Sequence, residues 1–276
     1  MRFREILKKC LHNKSFITGS CMIGLMLLIM VVGFFYLPYD PDAMDTPNKL
    51  QFFSAAHPLG TDQFGRDILS RIMEGTRVSF LVGALTVVFG LVVGGTIGSI
   101  AGYYGGKIDE VIMKLIDTQM AFPGVLLALM LIAVFGNSLQ NLILALGGYV
   151  HPPVRPYLPQ RIYQVSRRGV HQGGPLPGAG DGRIIFLHIL PNIVPELIVT
   201  SSLGFAGAVM SEAGLSYLGL GIQPPTPSFG KMLSEAQAEI LQAGWYVLVP
   251  AVAITLLVMG FNLIGDALQE VTQHGR

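Results

Sequence analysis

The chain has 276 residues, 51% hydrophobic and only 13% charged, with a net charge of +1 and a mean hydropathy of +0.56. A soluble domain carries about a quarter charged residues, so this composition suits a bilayer rather than water. The near-zero charge, with no basic face or stripe, argues against a nucleic-acid partner.

In chain order, Arg2, Arg4, Lys8, Lys9 and Lys14 form a basic leader, and the uncharged run Phe16 to Tyr36 follows. That run is long enough to cross a hydrocarbon core of ~30 Å. It exceeds the ~7–15 apolar residues of a signal peptide, and no small-residue cleavage site follows in YLPYDPD. It reads as a retained first span. Cys10 and Cys21 have no framework or metal spacing and read as packing residues.

The second span is Val78 to Ala101, in which Gly90, Gly94 and Gly98 recur at four-residue steps, continued by Gly102. On a helix this makes one stripe where a second helix approaches closely. The third span is Ile112 to Phe135, with Pro123 inside and Lys114 and Asp117 expected to pair at one interface. A fourth run begins at Leu142 but ends after Val150 at His151-Pro152-Pro153, too short to cross at ~1.5 Å per residue. The fifth is Ile193 to Ile222 and the sixth Tyr246 to Leu263. Only helices and closed barrels satisfy their backbone in lipid, and these lengths are helical. The expected fold class is therefore all-α, a polytopic membrane protein of about six transmembrane helices.

With the leader in the cytoplasm and the spans alternating, thirteen of the eighteen Lys and Arg fall inside. That bias orients the chain with both termini cytoplasmic. Lys49, Arg66, Arg71, Arg77 and Lys231 are left outside. Glu196 lies near a span end; Glu212 lies deeper, where a carboxylate is costly unless it faces a cavity or another helix. It reads as a holder of the outer helix end ahead of a solute-path residue. No phosphate-loop pattern is present: Ile108 follows Gly106-Lys107, and Met232 follows Gly230-Lys231. No metal-ligand or acyl-transfer constellation stands out, so the chain is expected to hold no catalytic residue, metal or cofactor. No polar cluster marks a substrate site.

Four segments resemble a known family. HPLGTDQFGRDILSRIMEGTRVSF (His57 to Phe80), IDTQMAFPGVLLAL (Ile116 to Leu129), EAGLSYLGLGIQPPTPSFGKML (Glu212 to Leu233) and GDALQE from Gly265 are similar to inner-membrane permeases of peptide and nickel ABC importers. The similarity is to the C-type permease. It implies a bacterial inner-membrane subunit that pairs with a B-type permease, uses ATP through two ATPase subunits, and receives solute from an extracytoplasmic binding protein. The solute would be a di- or oligopeptide, nickel or a glutathione-like compound. The implied parts are a leader at 1–15, a first span at 16–36 and an extracytoplasmic segment at 37–77. A permease core at 78–268, with a cytoplasmic loop at 151–192, and a tail at 269–276 complete the chain.

The family's loop signature is Glu-Ala-Ala, three residues, Gly, nine residues, an apolar residue, any residue, then Leu-Pro. It forms a short helix that docks on the ATPase, and a rigid helix transmits a shift that a floppy loop absorbs. Here Gly178 fits the glycine, with Asp181 following, and His188, Ile189, Leu190 and Pro191 fit the end. His188 reads as a polar helix-end contact. At the Glu-Ala-Ala position stand Gln172, Gly173 and Gly174, followed by Pro175 and Pro177. Proline inside a helix costs ~3 kcal/mol and glycine about 1, so a docking helix is excluded there.

Codons exist for Val154 to Gly178 under which a one-nucleotide shift spells a Tyr-Ala-Arg opening and an Ala-Ala pair at the signature position. The resemblance stops near Gly148 and resumes at Gly178, so residues 151–177 read as the product of two compensating frameshifts, in the gene or in its sequencing. The alternative is a real divergent loop. Two competing functional readings stand beside the permease: a transport-incompetent product with a scrambled loop, and a secondary carrier or channel. The latter predicts paired intramembrane charges or matching broken helices.

Overall fold

The computed structural model describes residues 9–149 and 190–273. Among them no strand is present, and eight helices of ten or more residues build the molecule. They are α1 (Lys14–Phe35), α2 (Ile68–Tyr104), α3 (Gly106–Met120), α4 (Gly124–Phe135), α5 (Leu139–Tyr149), α6 (Leu190–Tyr217), α7 (Phe229–Ala238) and α8 (Gly244–Gln273).

Four helices are long and apolar enough to cross a membrane: α1, α2, α6 and α8. The expected third span is not one rod. Its residues divide between α3 and α4, bent by 91° at Ala121–Pro123. Pro123 lacks a backbone donor and disfavours the α region at the residue before it, which suits the end of α3 at Met120. The fourth expected span is represented by α5, eleven residues long and too short to cross alone.

Other boundaries also differ from expectation. Asp67 accepts a hydrogen bond from the Ser70 amide at 2.8 Å and caps α2, so that helix starts ten residues before Val78. The expected fifth span continued to Ile222, but α6 stops at Tyr217. There Gly219 (φ 81°) turns the chain, and the Leu220 amide returns to the Leu215 carbonyl at 2.9 Å. Helix α8 runs ten residues past Leu263.

Packing begins with α1 against α8 in antiparallel register. A Cβ on Gly19 would meet the Gly260 carbonyl at 2.7 Å, and one on Gly260 would meet Ile23. These two glycines let the backbones touch, and larger residues would force them apart. Helix α8 packs on α6, α6 on α2, and α2 on α5, while α7 lies across α6 and α8. One core joins Met26, Ile72, Phe205, Phe229, Met232 and Leu257, and a second joins Val82, Ala128, Ile132, Leu146 and Leu215. Outside these cores, Leu81, Leu85, Val88 and Val92 of α2, and Leu248, Val252 and Met259 of α8, stay exposed along single helix faces. Such stripes suit lipid or another chain.

Asn13 caps α1 through the Ser15 amide at 2.9 Å, and its amide nitrogen donates to Glu270 at 2.9 Å. The start of α1 and the end of α8 therefore meet at one end of the bundle. Residues 36–67 and α7 form a cap over the other end.

Candidate functional site

The cap is built from a turn that its own side chains define. The Asp62 carboxylate accepts from the Phe64 amide at 2.8 Å and the Arg66 amide at 2.9 Å, closing an Asx turn over Gly65 (φ 79°). The chain then doubles back, with the Asp62 amide on the Arg66 carbonyl and the Ile68 amide on the Gly60 carbonyl. Asp67 follows at the head of α2. One of its oxygens takes the Ser70 amide and hydroxyl, and the other lies 2.9 Å from His57 Nδ1.

This turn carries Arg66 and Arg71 into the interior. Arg66 Nε donates to Asp62 at 2.6 Å, and its Nη2 donates to Glu235 of α7 at 3.0 Å. Arg71 is only 1% exposed. It donates to the Pro41 carbonyl at 3.2 Å and lies 3.7 Å from Asp42, Asp62 and Glu235 alike. The Tyr246 hydroxyl is buried without a hydrogen-bond partner among the described residues. Two arginines thus tie the α1–α2 connection to the α6–α8 connection through three carboxylates and a carbonyl. Removing one member of such a buried cluster costs about 3–5 kcal/mol, because the remaining charge loses its partner.

A second polar point fixes the outer end of α6. Glu212 is fully buried and accepts from the Ser216 hydroxyl at 2.6 Å. That same hydroxyl accepts from the Ile222 amide at 3.0 Å, pinning the turn after α6. Ser228, also buried, caps α7 through the Lys231 amide at 3.3 Å, and Gly230 sits against the Ala213 backbone. The Tyr217 hydroxyl donates to Gln237. Glu212 therefore stands at a joint between a span and the cap.

The other residues singled out from sequence are distributed as follows. Gly90, Gly94 and Gly98 are buried in α2, and Gly102 belongs to the same helix. Lys114 does not pair with Asp117; its ammonium lies 2.7 Å from Glu110, one turn earlier on an exposed face. Leu190 and Pro191 open α6. Gly178, Asp181, His188 and Gln172 to Gly174 lie outside the described residues, as does the break at His151 to Pro177. The end of α3 lies against the point where α5 leads into that stretch, since Gln119 donates to the Gly148 carbonyl at 2.8 Å.

Sequence reasoning missed the cluster. By sequence, Arg66 and Arg71 read only as outside charges, and no pattern marks α7. The four- and five-residue steps from Asp62 to Arg66 to Arg71 were a local signal, but Glu235 is 169 residues from Arg66 in the chain. Among the described residues no group of three or more His, Cys, Asp or Glu is placed to hold a metal ion.

Comparison with known proteins assigns this architecture. Residues 94–275 match the family described as binding-protein-dependent transport system inner membrane component. Residues 2–54 match the N-terminal TM domain of oligopeptide transport permease C. The chain is 40% identical to the dipeptide transport system permease protein DppC of Alkalihalophilus pseudofirmus, over 97% of this chain and 88% of that protein. It is 43% identical to the protein of that name in Escherichia coli K12, over 94% and 88%. It is 35% identical to the glutathione transport system permease protein GsiD of Pectobacterium atrosepticum, over 97% and 89%. With two-thirds of its length under one family model and near-complete matches to these relatives, the chain belongs to the inner-membrane components of binding-protein-dependent transport systems, as a multi-pass ABC permease subunit.

Proposed function

We propose that this chain is the C-type permease of an ATP-driven importer of short peptides. The observation that carries the reading is the end-to-end match to permeases named for dipeptides, with one named for glutathione, itself a small peptide-like solute. No relative among these is named for nickel, so peptides stand ahead of the metal.

In this reading a B-type permease completes the pathway and two ATPases drive it. An extracytoplasmic binding protein selects the solute and delivers it at the cap. ATP is bound and hydrolysed by the partners, and this chain holds neither nucleotide nor metal. Both termini face the cytoplasm, which the Asn13–Glu270 contact supports by bringing the two ends of the described chain to one side. Closure of the ATPases pushes the loop before α6, and α6 passes the shift to the cap through Glu212 and α7. A bundle of packed helices with two discrete arrangements suits such a transfer.

The experiment is growth. A bacterial host without its own peptide permease, given one dipeptide as its source of a required amino acid, is supplied with the whole transporter. Growth on the dipeptide, abolished by removing the binding protein, supports the reading; growth restored by nothing but the free amino acid overturns it.

A second reading concerns this exact chain. Gln172-Gly173-Gly174 followed by Pro175 and Pro177 disfavour the docking helix, so the chain as written loses coupling through that helix. Sequencing codons 148 to 178 from source DNA decides whether the cell makes it. An intact frame encoding an Ala-Ala loop gives an ordinary coupled permease, and prolines in the DNA give a decayed or differently coupled one.

A further inference from the structure

The capped end of the bundle carries aromatic side chains that folding leaves open. Phe52 and Phe53 stack with centroids 4.5 Å apart, yet they remain 58% and 46% exposed. Trp245, at the start of α8, lies edge-on to both, at 5.5 and 5.2 Å, with its ring against Gly60. Leu241, just before α8, is 99% exposed. The stretch Leu50 to Ala56 that presents the two phenylalanines contains no charged residue.

A neighbouring span carries the same chemistry at the same level. Gly19 faces Gly260 and Leu263, and Gly260 faces Ile23, so α1 and α8 run antiparallel with a fixed register. That register brings the last residues of α1 beside the first residues of α8. Phe35 and Tyr36, 88% and 65% exposed, therefore stand at the height of Trp245. Below them the exposed faces of both helices are apolar, Leu25, Leu28 and Val32 on one and Leu248 and Val252 on the other.

We infer that Phe52, Phe53 and Leu241 form a membrane-surface anchor, which lays the cap loop on the boundary between lipid headgroups and acyl chains beside Trp245. Two separate elements place aromatics at one height, continuous with the apolar faces of two spans. A bilayer imposes a common height on unrelated segments; a protein docking site does not. Aromatic rings with a polar edge settle at that boundary, and phenylalanine and leucine add apolar area just beneath it. The cap then rests on the lipid surface on its α8 side, and its turn at Asp62 to Asp67 is held at a fixed height.

Trp245 is the chain's single tryptophan, and this makes the test direct. The complete transporter is placed in nanodiscs of phosphatidylcholine brominated either near the headgroup or deep in the acyl chain. The same measurement on Trp245→Phe yields the Trp245 emission by difference. The anchor predicts a larger loss of that emission with shallow bromines than with deep ones, and a smaller shallow loss in Phe52→Ser/Phe53→Ser. Independently, a nitroxide on Phe53→Cys in a Cys21→Ser background is predicted to be relaxed more by oxygen than by a water-soluble nickel chelate. Trp245 emission untouched by bromine, or a nitroxide open to the chelate and shielded only on adding the binding protein, overturns the anchor and makes the patch a protein dock.

Discussion

Substituting Glu235 by Gln tests whether the cap is held by its buried charges. The change keeps the size of the side chain and one possible hydrogen bond but removes the charge shared by Arg66 at 3.0 Å and Arg71 at 3.7 Å. Both arginines are nearly inaccessible, so neither regains full hydration while the cap stays closed. Breaking a buried pair costs about 3–5 kcal/mol, and the slight exposure of Glu235 favours the lower figure, about 3 kcal/mol. That energy is lost from the closed form of α7 relative to a locally open one. At ~1.4 kcal/mol per tenfold, the amides of α7 should then exchange with solvent roughly a hundredfold faster. Hydrogen exchange read by mass spectrometry on the assembled transporter measures this, with α1 amides as the internal reference. Arg66→Gln should give a comparable gain, and the double variant less than the product of the two, because the pair shares one interaction. Exchange of α7 changed less than about threefold by Glu235→Gln would refute the view that this cluster fastens the cap.

Three further outcomes follow from the packing and the caps. Gly19→Leu should destabilise the α1–α8 contact by about 1–3 kcal/mol, since its Cβ would meet the Gly260 carbonyl at 2.7 Å and Leu263 at 3.0 Å; a lower thermal midpoint in detergent checks it. Asp67→Ala removes the cap of α2 and the partner of His57, at about 1–2 kcal/mol, and hydrogen exchange should rise at residues 68–72 and not in α5. Glu212→Ala leaves the Ser216 hydroxyl without its acceptor and opens a buried gap, so the turn at residues 218–222 should become sensitive to added protease while α8 stays protected.

The apolar runs of α1, α2, α6 and α8 were legible because a span is a local property of about twenty residues. The all-α class followed from those runs alone, whereas the expected count of about six exceeds the four spanning helices, or five with the bent pair α3–α4, found among the described residues. The bend at Pro123 was half legible: the proline was visible, but composition cannot say whether neighbouring helices keep the two halves in line. The early start of α2 was hidden because Arg71, Glu74 and Arg77 look like residues of a water-facing loop, whereas Arg71 is buried by partners far along the chain. Helix α7 is short, carries Lys231 and Glu235, and follows a proline-rich turn, so nothing periodic announced it. Glu212 stood out by the cost of a carboxylate inside a span. What it touches depends on Ser216, one turn away, and on a chain reversal that the helix pattern did not reveal.

The most direct measurement of the central claim is uptake of a labelled dipeptide into vesicles containing the whole transporter, with the loop at residues 151–177 either as written or restored to the resumed reading frame. The account predicts accumulation with the restored loop, dependent on both ATP and the binding protein, and little or none with the loop as written. Equal accumulation by both would contradict the coupling argument, and no ATP-dependent accumulation by the restored chain would contradict the assignment as a peptide permease.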